Sequence, residues 1–181
     1  MELDGVRLVL RPVTDEDLDF YVALRNSPDV IRWTGARGRR DRSDVERDLL
    51  RWVEHWREHG FGTWTVFGRQ TDERLGRVEL DPVGDGWTQI ATGDIEIGCV
   101  IDPAHWNEGI ATEATLLVID DCCDRVGLDR LVAMTTADNV SSLRALEKVG
   151  MSYVGGTQRD GPDSDVTYQL FELRWVDRRR T

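Results

Sequence analysis

Apolar positions along this chain recur first at the period of a strand, then at that of helices, then again at that of strands. From Leu3 to Arg11, Val6, Leu8 and Leu10 alternate with Arg7, Val9 and Arg11, which predicts a strand closed by Pro12. Thr14 is a capping residue three positions before Asp17. Leu18, Tyr21, Val22 and Arg25 then continue at helical spacing until Asn26-Ser27-Pro28. A short mixed segment holds Val30, Ile31 and Trp33, and a turn-rich basic loop runs from Gly35 to Arg42. Ser43 reads as the cap of a second helix, with Val45, Leu49, Trp52, Val53 and Trp56 on one face up to Gly60.

Beyond Gly60 the period returns to two. Thr63 to Phe67, Leu75 to Leu80 and Ile95 to Ile101 predict three strands of an antiparallel meander, with turns at Gln70-Thr71-Asp72 and around Gly84-Asp85-Gly86. Gly109 to Val126 is a helical stretch whose Ile110, Ala111, Ala114, Leu117, Val118 and Cys122 share a face. Leu131 to Thr136 is a strand, and Val140 to Val149 a helix ended by Gly150. Met151 to Gly155 and Val166 to Trp175 are the last two strands. The order predicts a mixed α/β layer of about seven strands and four helices. With 181 residues, one domain over 1–176 is expected, followed by a frayed basic tail at 177–181.

Charge narrows the partners. The chain carries 23 Lys and Arg against 34 Asp and Glu, a net charge of -11. That argues against nucleic acid and favours an amine or a basic peptide. The basic cluster Arg37, Arg39, Arg40 and Arg42 is therefore read as a solvated loop. No signal peptide or bilayer-spanning run is present in the sequence, so no membrane partner is expected. Cys99, Cys122 and Cys123 are an odd count without metal-knuckle spacing, which fits reduced thiols in a cytoplasm. His55 and His59 lie four apart on the second helix, but Trp56 stands where a zinc protease needs Glu and no third ligand is evident. A solvated face and no metal are expected.

The segment from Glu96 to Ala114 is a strand, a tight loop and a helix start. Such a junction leaves backbone N–H groups unpaired along the helix axis, where a pyrophosphate is stabilised by them and by the dipole. Within it, Trp106-Asn107-Glu108-Gly109-Ile110-Ala111-Thr112-Glu113-Ala114 resembles the acetyl-CoA loop of the GNAT superfamily of N-acetyltransferases, in its RimJ/RimL-like branch. Asn139-Val140-Ser141-Ser142 with Leu146-Glu147-Lys148-Val149-Gly150-Met151 is similar to a second motif of that branch. Leu8-Val9-Leu10-Arg11-Pro12 with Asp15-Glu16-Asp17-Leu18 looks like its opening. Asn107 replaces the branch's usual glycine, Met151 its phenylalanine, and Glu108 adds negative charge that should point outward.

The resemblance implies splayed central strands and transfer of an acetyl group from acetyl-CoA to a primary amine by direct attack, without a metal. The amine would belong to a protein N-terminus or to a small molecule such as an aminoglycoside or polyamine. On the same basis Val100, Ile101, Trp106, Asn107, Glu108, Gly109, Ile110, Ala111, Thr112, Asn139 and Ser142 would contact the donor, with backbone N–H groups around Val100 and Ile101 holding the oxyanion. Glu96 is the candidate general base, its other reading being an outward strand carboxylate, and Asp94 is the lesser candidate. Ser142 would steady or protonate the sulfur, although Asp138, Asn139 and Ser141 are also plain capping residues. Trp33 and Glu96 are the candidate acceptor contacts, core packing being the default for Trp33. The usual tyrosine of other branches has no clear equivalent. Succinyl or another acyl group as cargo, with Arg32 or the arginine loop in the acyl pocket, and a catalytically silent acyl-CoA sensor are the alternatives. A homodimer is left open.

Overall fold

The computed structural model describes residues 1–34, 39–161 and 164–175. The basic tail expected at 177–181 and Arg37 lie outside them. The chain forms two compact units, Met1–Glu79 with Cys99–Val118, and Leu80–Gly98 with the described residues after Val118. Among the described residues, eight strands and five α-helices give a mixed α/β fold.

In the first unit, β1 (Leu3–Asp4), β2 (Leu8–Pro12), β3 (Thr63–Gly68) and β4 (Arg74–Pro82, up to Glu79 in this unit) follow one another in order, each antiparallel to the next. The single strand expected from Leu3 to Arg11 is divided, because Gly5 N donates to Leu8 O and turns the chain, leaving Val6 88% exposed. A 3-10 turn at Asp15–Asp17 leads into α1 (Leu18–Asn26), with Asp17 Oδ2 accepting from Thr14 N at 3.0 Å. The mixed segment is a short helix, α2 (Pro28–Thr34). Pro at the first helical position costs no hydrogen bond and starts it.

Helix α3 (Arg42–His59) begins one residue before Ser43, with Asp41 at its N-cap, and ends at Gly60, φ 72. Its Val45, Leu49 and Trp52 join Val13, Tyr21, Leu24 and Val30 in one buried cluster, as their i, i+4, i+7 spacing demands. Among the described residues, the buried carboxylates Asp17, Asp48 and Asp121 are all paired. Asp17 meets Arg74 at 2.7 Å and Thr65 Oγ1 at 2.8 Å, and Asp48 meets Arg25 at 2.7 Å and Arg40 at 3.0 Å. The arginine loop is thus not simply solvated, since Arg40 serves Asp48 and Arg42 bonds Asp19 at 2.6 Å. His55 is half-buried, its ring 4.4 Å from that of His59 and 5.2 Å from that of Phe61, which corrects the fully solvated face expected of the pair.

β5 (Ile95–Ile101), whose first four residues lie in the second unit, is followed there by β6 (Arg130–Thr136), β8 (Tyr168–Arg174) and β7 (Ser152–Thr157) as neighbours in that order. β6 and β8 pair antiparallel along seven residues, from Arg130↔Arg174 to Thr136↔Tyr168. The β5–β6 ladder is parallel and one pair long, Glu96↔Val132. Val83, Ile90, Val132 and Leu170 form a buried cluster, with Trp87 and Met134 packed on it. α4 (Ile110–Asp121) contributes to both units and gives way to a π-helical turn at Cys122–Val126, closed by Gly127 at φ 73. α5 (Val140–Lys148) follows β6. Among the described residues no helix is long and apolar enough to cross a membrane.

Candidate active site

The first unit carries a continuous turn between β5 and α4. Asp102 N donates to Leu75 O at 2.8 Å, and Asp102 Oδ1 accepts from Ala104 N at 2.9 Å, which winds Pro103–His105 into a 3-10 turn. Trp106, 38% exposed, donates its indole N–H to Ile101 O at 2.8 Å, tying the turn back to the end of β5. Asn107 and Gly109 then take left-handed backbone conformations, φ 66 and φ 78. Asn and Gly are the residues that adopt this region with least strain, so Asn107 fills its glycine-like place without breaking the turn. Ile110 and Ala114 are buried and anchor α4, while Ala111 and Thr112 are half-buried on its first turn.

The N–H groups of that first turn have no acceptor within the helix. Closure from the loop is Glu113 N to Gly109 O at 3.1 Å. Glu108 is exposed, its Oε2 3.6 Å from His105 Nδ1, and His105 Nε2 is 3.5 Å from Glu73 Oε1. The arrangement offers unpaired N–H donors and a helix dipole to an anion, on a turn with few side chains to block it.

Val100 packs against the α1–α3 cluster. Strand alternation gives Val100 and Glu96 one face of β5, and Ile97, Cys99 and Ile101 the other. Because Asp102 N points at β4, the next amide, Ile101 N–H, points to the opposite edge. Cys99 is exposed at its surface, yet the protein crowded round it pushes the thiol up to about 11, with a hydrogen bond to Thr115 and the charge of Arg77 pulling the other way. Trp33 lies on α2, outside this turn, half-buried beneath the Arg32 guanidinium at 4.6 Å.

The second unit carries the remaining residues. Asn139 is the N-cap of α5, its Oδ1 accepting from Ser142 N at 3.2 Å. Its side-chain oxygen is therefore engaged in capping, while its amide NH2 and the Ser142 hydroxyl take no part in that cap. Glu96 is half-buried on β5 opposite Val132. Asp94 is held by Arg130 at 2.5 Å and by Ala91 N at 3.0 Å, so it has a structural occupation. Glu172 also binds Arg130, at 3.0 Å. Burial would raise its carboxyl, but the Arg174 and Arg130 hydrogen bonds outweigh this and hold it below the ordinary value. No cluster of three metal-ligating side chains occurs among the described residues.

One residue at the turn escaped the sequence reading. Arg7, read as an outward position of a strand, reaches the start of α4, with Nε donating to Glu113 Oε2 at 2.8 Å and Nη1 to Glu108 O at 2.9 Å. Nothing local signals this, because the partners are 106 and 101 residues away.

A strand–turn–helix junction of this kind on a mixed α/β fold suits an anionic ligand, and sequence comparison supplies the family. The acetyltransferase (GNAT) domain profile matches residues 7–152, and the chain belongs to that family. An uncharacterized N-acetyltransferase of Bacillus subtilis, YoaA, is 27% identical over 153 residues, 84% of each chain. A probable N-acetyltransferase of the same organism, YjcK, is 35% identical over 163 residues, again 84% of each. Among solved structures, AAC(6')-Ib in complex with paromomycin and acetyl-CoA superposes with a TM-score of 0.79 at 18% identity, covering 97% of both chains. At that identity the likeness carries the fold.

Proposed function

We propose that the chain transfers an acetyl group from acetyl-CoA to a primary amine, in the manner of the RimJ/RimL-like branch. The observation that carries this is the turn from Trp106 to Thr112, whose two left-handed residues and open helix start suit a pyrophosphate. The chemistry is a single displacement. The neutral amine nitrogen attacks the thioester carbonyl, a C–N bond forms, the C–S bond breaks, and CoA leaves as a thiolate.

The Ile101 N–H, directed away from β4, is the donor best oriented to steady the developing oxyanion, ahead of Val100. Glu96 accepts the ammonium proton, directly or through water, from its place on the strand that leads to Val100 and Ile101. The Asn139 amide contacts the pantetheine arm, and the Ser142 hydroxyl stands by the sulfur. An α-amino group, with a pKa of about 8, needs less of the base than a lysine at about 10.4.

The net charge of -11 supports a cationic acceptor, an amine-bearing small molecule or a protein N-terminus. With Arg40 and Arg42 engaged by carboxylates and Arg32 lying on Trp33, these arginines give little support to a succinyl pocket. The odd count of three cysteines supports a place in the cytoplasm.

Thermal unfolding with and without acetyl-CoA tests the donor. At about a hundred times its dissociation constant, a ligand adds roughly 2.7 kcal/mol, which for this size raises the midpoint by about 5 to 10 °C. A shift of that order, followed by thiol release with amines, is the expected result. No shift with millimolar acetyl-CoA, succinyl-CoA or CoA would remove the acyl-CoA reading.

A further inference from the structure

Arg7 is assigned no part in the reaction above, yet its hydrogen bonds converge on the start of α4. Its own N–H donates to Glu113 Oε1 at 2.8 Å and its Nε to Glu113 Oε2 at 2.8 Å, so one carboxylate is gripped at both oxygens. Nη1 donates to Glu108 O at 2.9 Å, the carbonyl that helix geometry would otherwise offer to Thr112 N. Nη2 lies 3.5 Å from the place where a Cβ on Gly109 would stand.

The approach is built into the chain on both sides. A Cβ on Gly5 would lie 2.8 Å from Leu117 Cδ1 and 3.1 Å from Glu113 Oε1, so a glycine is what lets the β1–β2 turn come this close to α4. Arg69 N donates to Arg7 O at 2.8 Å and fixes the Arg7 backbone from the other side.

Electrostatics gives these bonds a purpose. Glu108 and Glu113 bring two carboxylates to the helix start at which a doubly charged pyrophosphate is proposed to dock, and like charges there would oppose binding. Arg7 cancels Glu113, whose side chain is only 20% exposed, while remaining 53% exposed itself. We propose that Arg7 is a positioning residue for the donor: it clamps the first turn of α4 through Glu108 O and Glu113, and neutralises Glu113 beneath the pyrophosphate. This rests on the acyl-CoA reading given above.

The test compares two donors in the full chain. Acetyl-CoA carries the pyrophosphate, whereas S-acetylpantetheine carries the same thioester without it. Arg7→Met should raise the Kd for CoA and the KM for acetyl-CoA by about 10- to 100-fold, the range of a lost charge-assisted clamp, with kcat at saturation little changed. Turnover of S-acetylpantetheine should stay within about twofold of wild type, an outcome that a merely structural role for Arg7 would not give. Adding Glu113→Gln to Arg7→Met should restore part of the CoA affinity by removing the stranded carboxylate. Arg7→Lys, which keeps the charge but not the fork, should fall between. Unchanged CoA affinity in Arg7→Met, or equal losses with both donors, would overturn the proposal while leaving the acyl-CoA reading intact. A wild-type protein that binds no CoA would overturn both.

Discussion

Helices α4 and α5 both start just after a strand, but their N-termini are finished in opposite ways. α5 closes on itself, because Asn139 Oδ1 accepts from Ser142 N at 3.2 Å and satisfies a first-turn donor. α4 has no such cap among the described residues, and the groups that could have turned inward are drawn off. The Glu113 carboxylate and the Glu108 carbonyl both go to Arg7. Left-handed Asn107 and Gly109 keep the approach to α4 low. The difference teaches that a motif rich in helix-start residues is not evidence of a ligand site until the fate of its N–H groups is known. Among the described residues no side chain caps the first-turn N–H groups of α4, whereas α5 is already served by Asn139.

Three sets of variants press on this contrast. The largest effect should come from Glu96→Gln, on β5 rather than on either helix. If the open start of α4 supplies binding and Glu96 the proton transfer, kcat for a high-pKa amine falls by about 100-fold or more while the Kd for acetyl-CoA holds. An unchanged pH–rate profile would remove Glu96 as the base.

Next is Gly109→Val. A β-branched residue at φ 78 introduces about 1 to 3 kcal/mol of backbone strain, and the turn must reshape to relieve it. Titration calorimetry should then show acetyl-CoA affinity lowered by about 10- to 100-fold. Wild-type affinity in a folded Gly109→Val protein would mean that the open start is not where the donor binds.

The smallest pair of effects distinguishes the two residues on α5. Asn139→Ala removes a cap, so stability should drop by about 1 kcal/mol and the unfolding midpoint by about 2 to 4 °C. Ser142→Ala leaves the Asn139 cap to the Ser142 backbone N–H intact, so its midpoint should stay while turnover falls several-fold. A Ser142→Ala protein with full activity would reduce Ser142 to a capping-turn residue.

Much of the fold was legible before any coordinates. The alternating and helical periods placed β3, β5, β6, α1, α3 and α5 within a few residues of their observed limits, because each period reports a buried face. The failures were local and have physical causes. The expected first strand breaks at Gly5, since Gly5 N turns to Leu8 O and alternation cannot register a two-residue strand. α2 is too short for a helical period to show, with Val30 its single buried residue. Ser43 lost the cap to Asp41, two equally suitable residues two positions apart.

The candidate site divides along the same line. The turn from Trp106 to Thr112 was readable because its shape depends on neighbours: left-handed positions fall to Asn and Gly, and unpaired donors follow from any helix beginning. By itself, then, the sequence determined the mixed α/β layer, the acidic balance of charge and the left-handed turn before α4, all of which rest on composition or on contacts a few positions long. Only the tertiary structure decided that Arg7 serves α4 across 106 residues, that Asp94 belongs to Arg130, and that Arg40 and Arg42 of the basic loop neutralise carboxylates. Charged side chains are chosen as partners by proximity in space, and no period along the chain encodes which ones will meet.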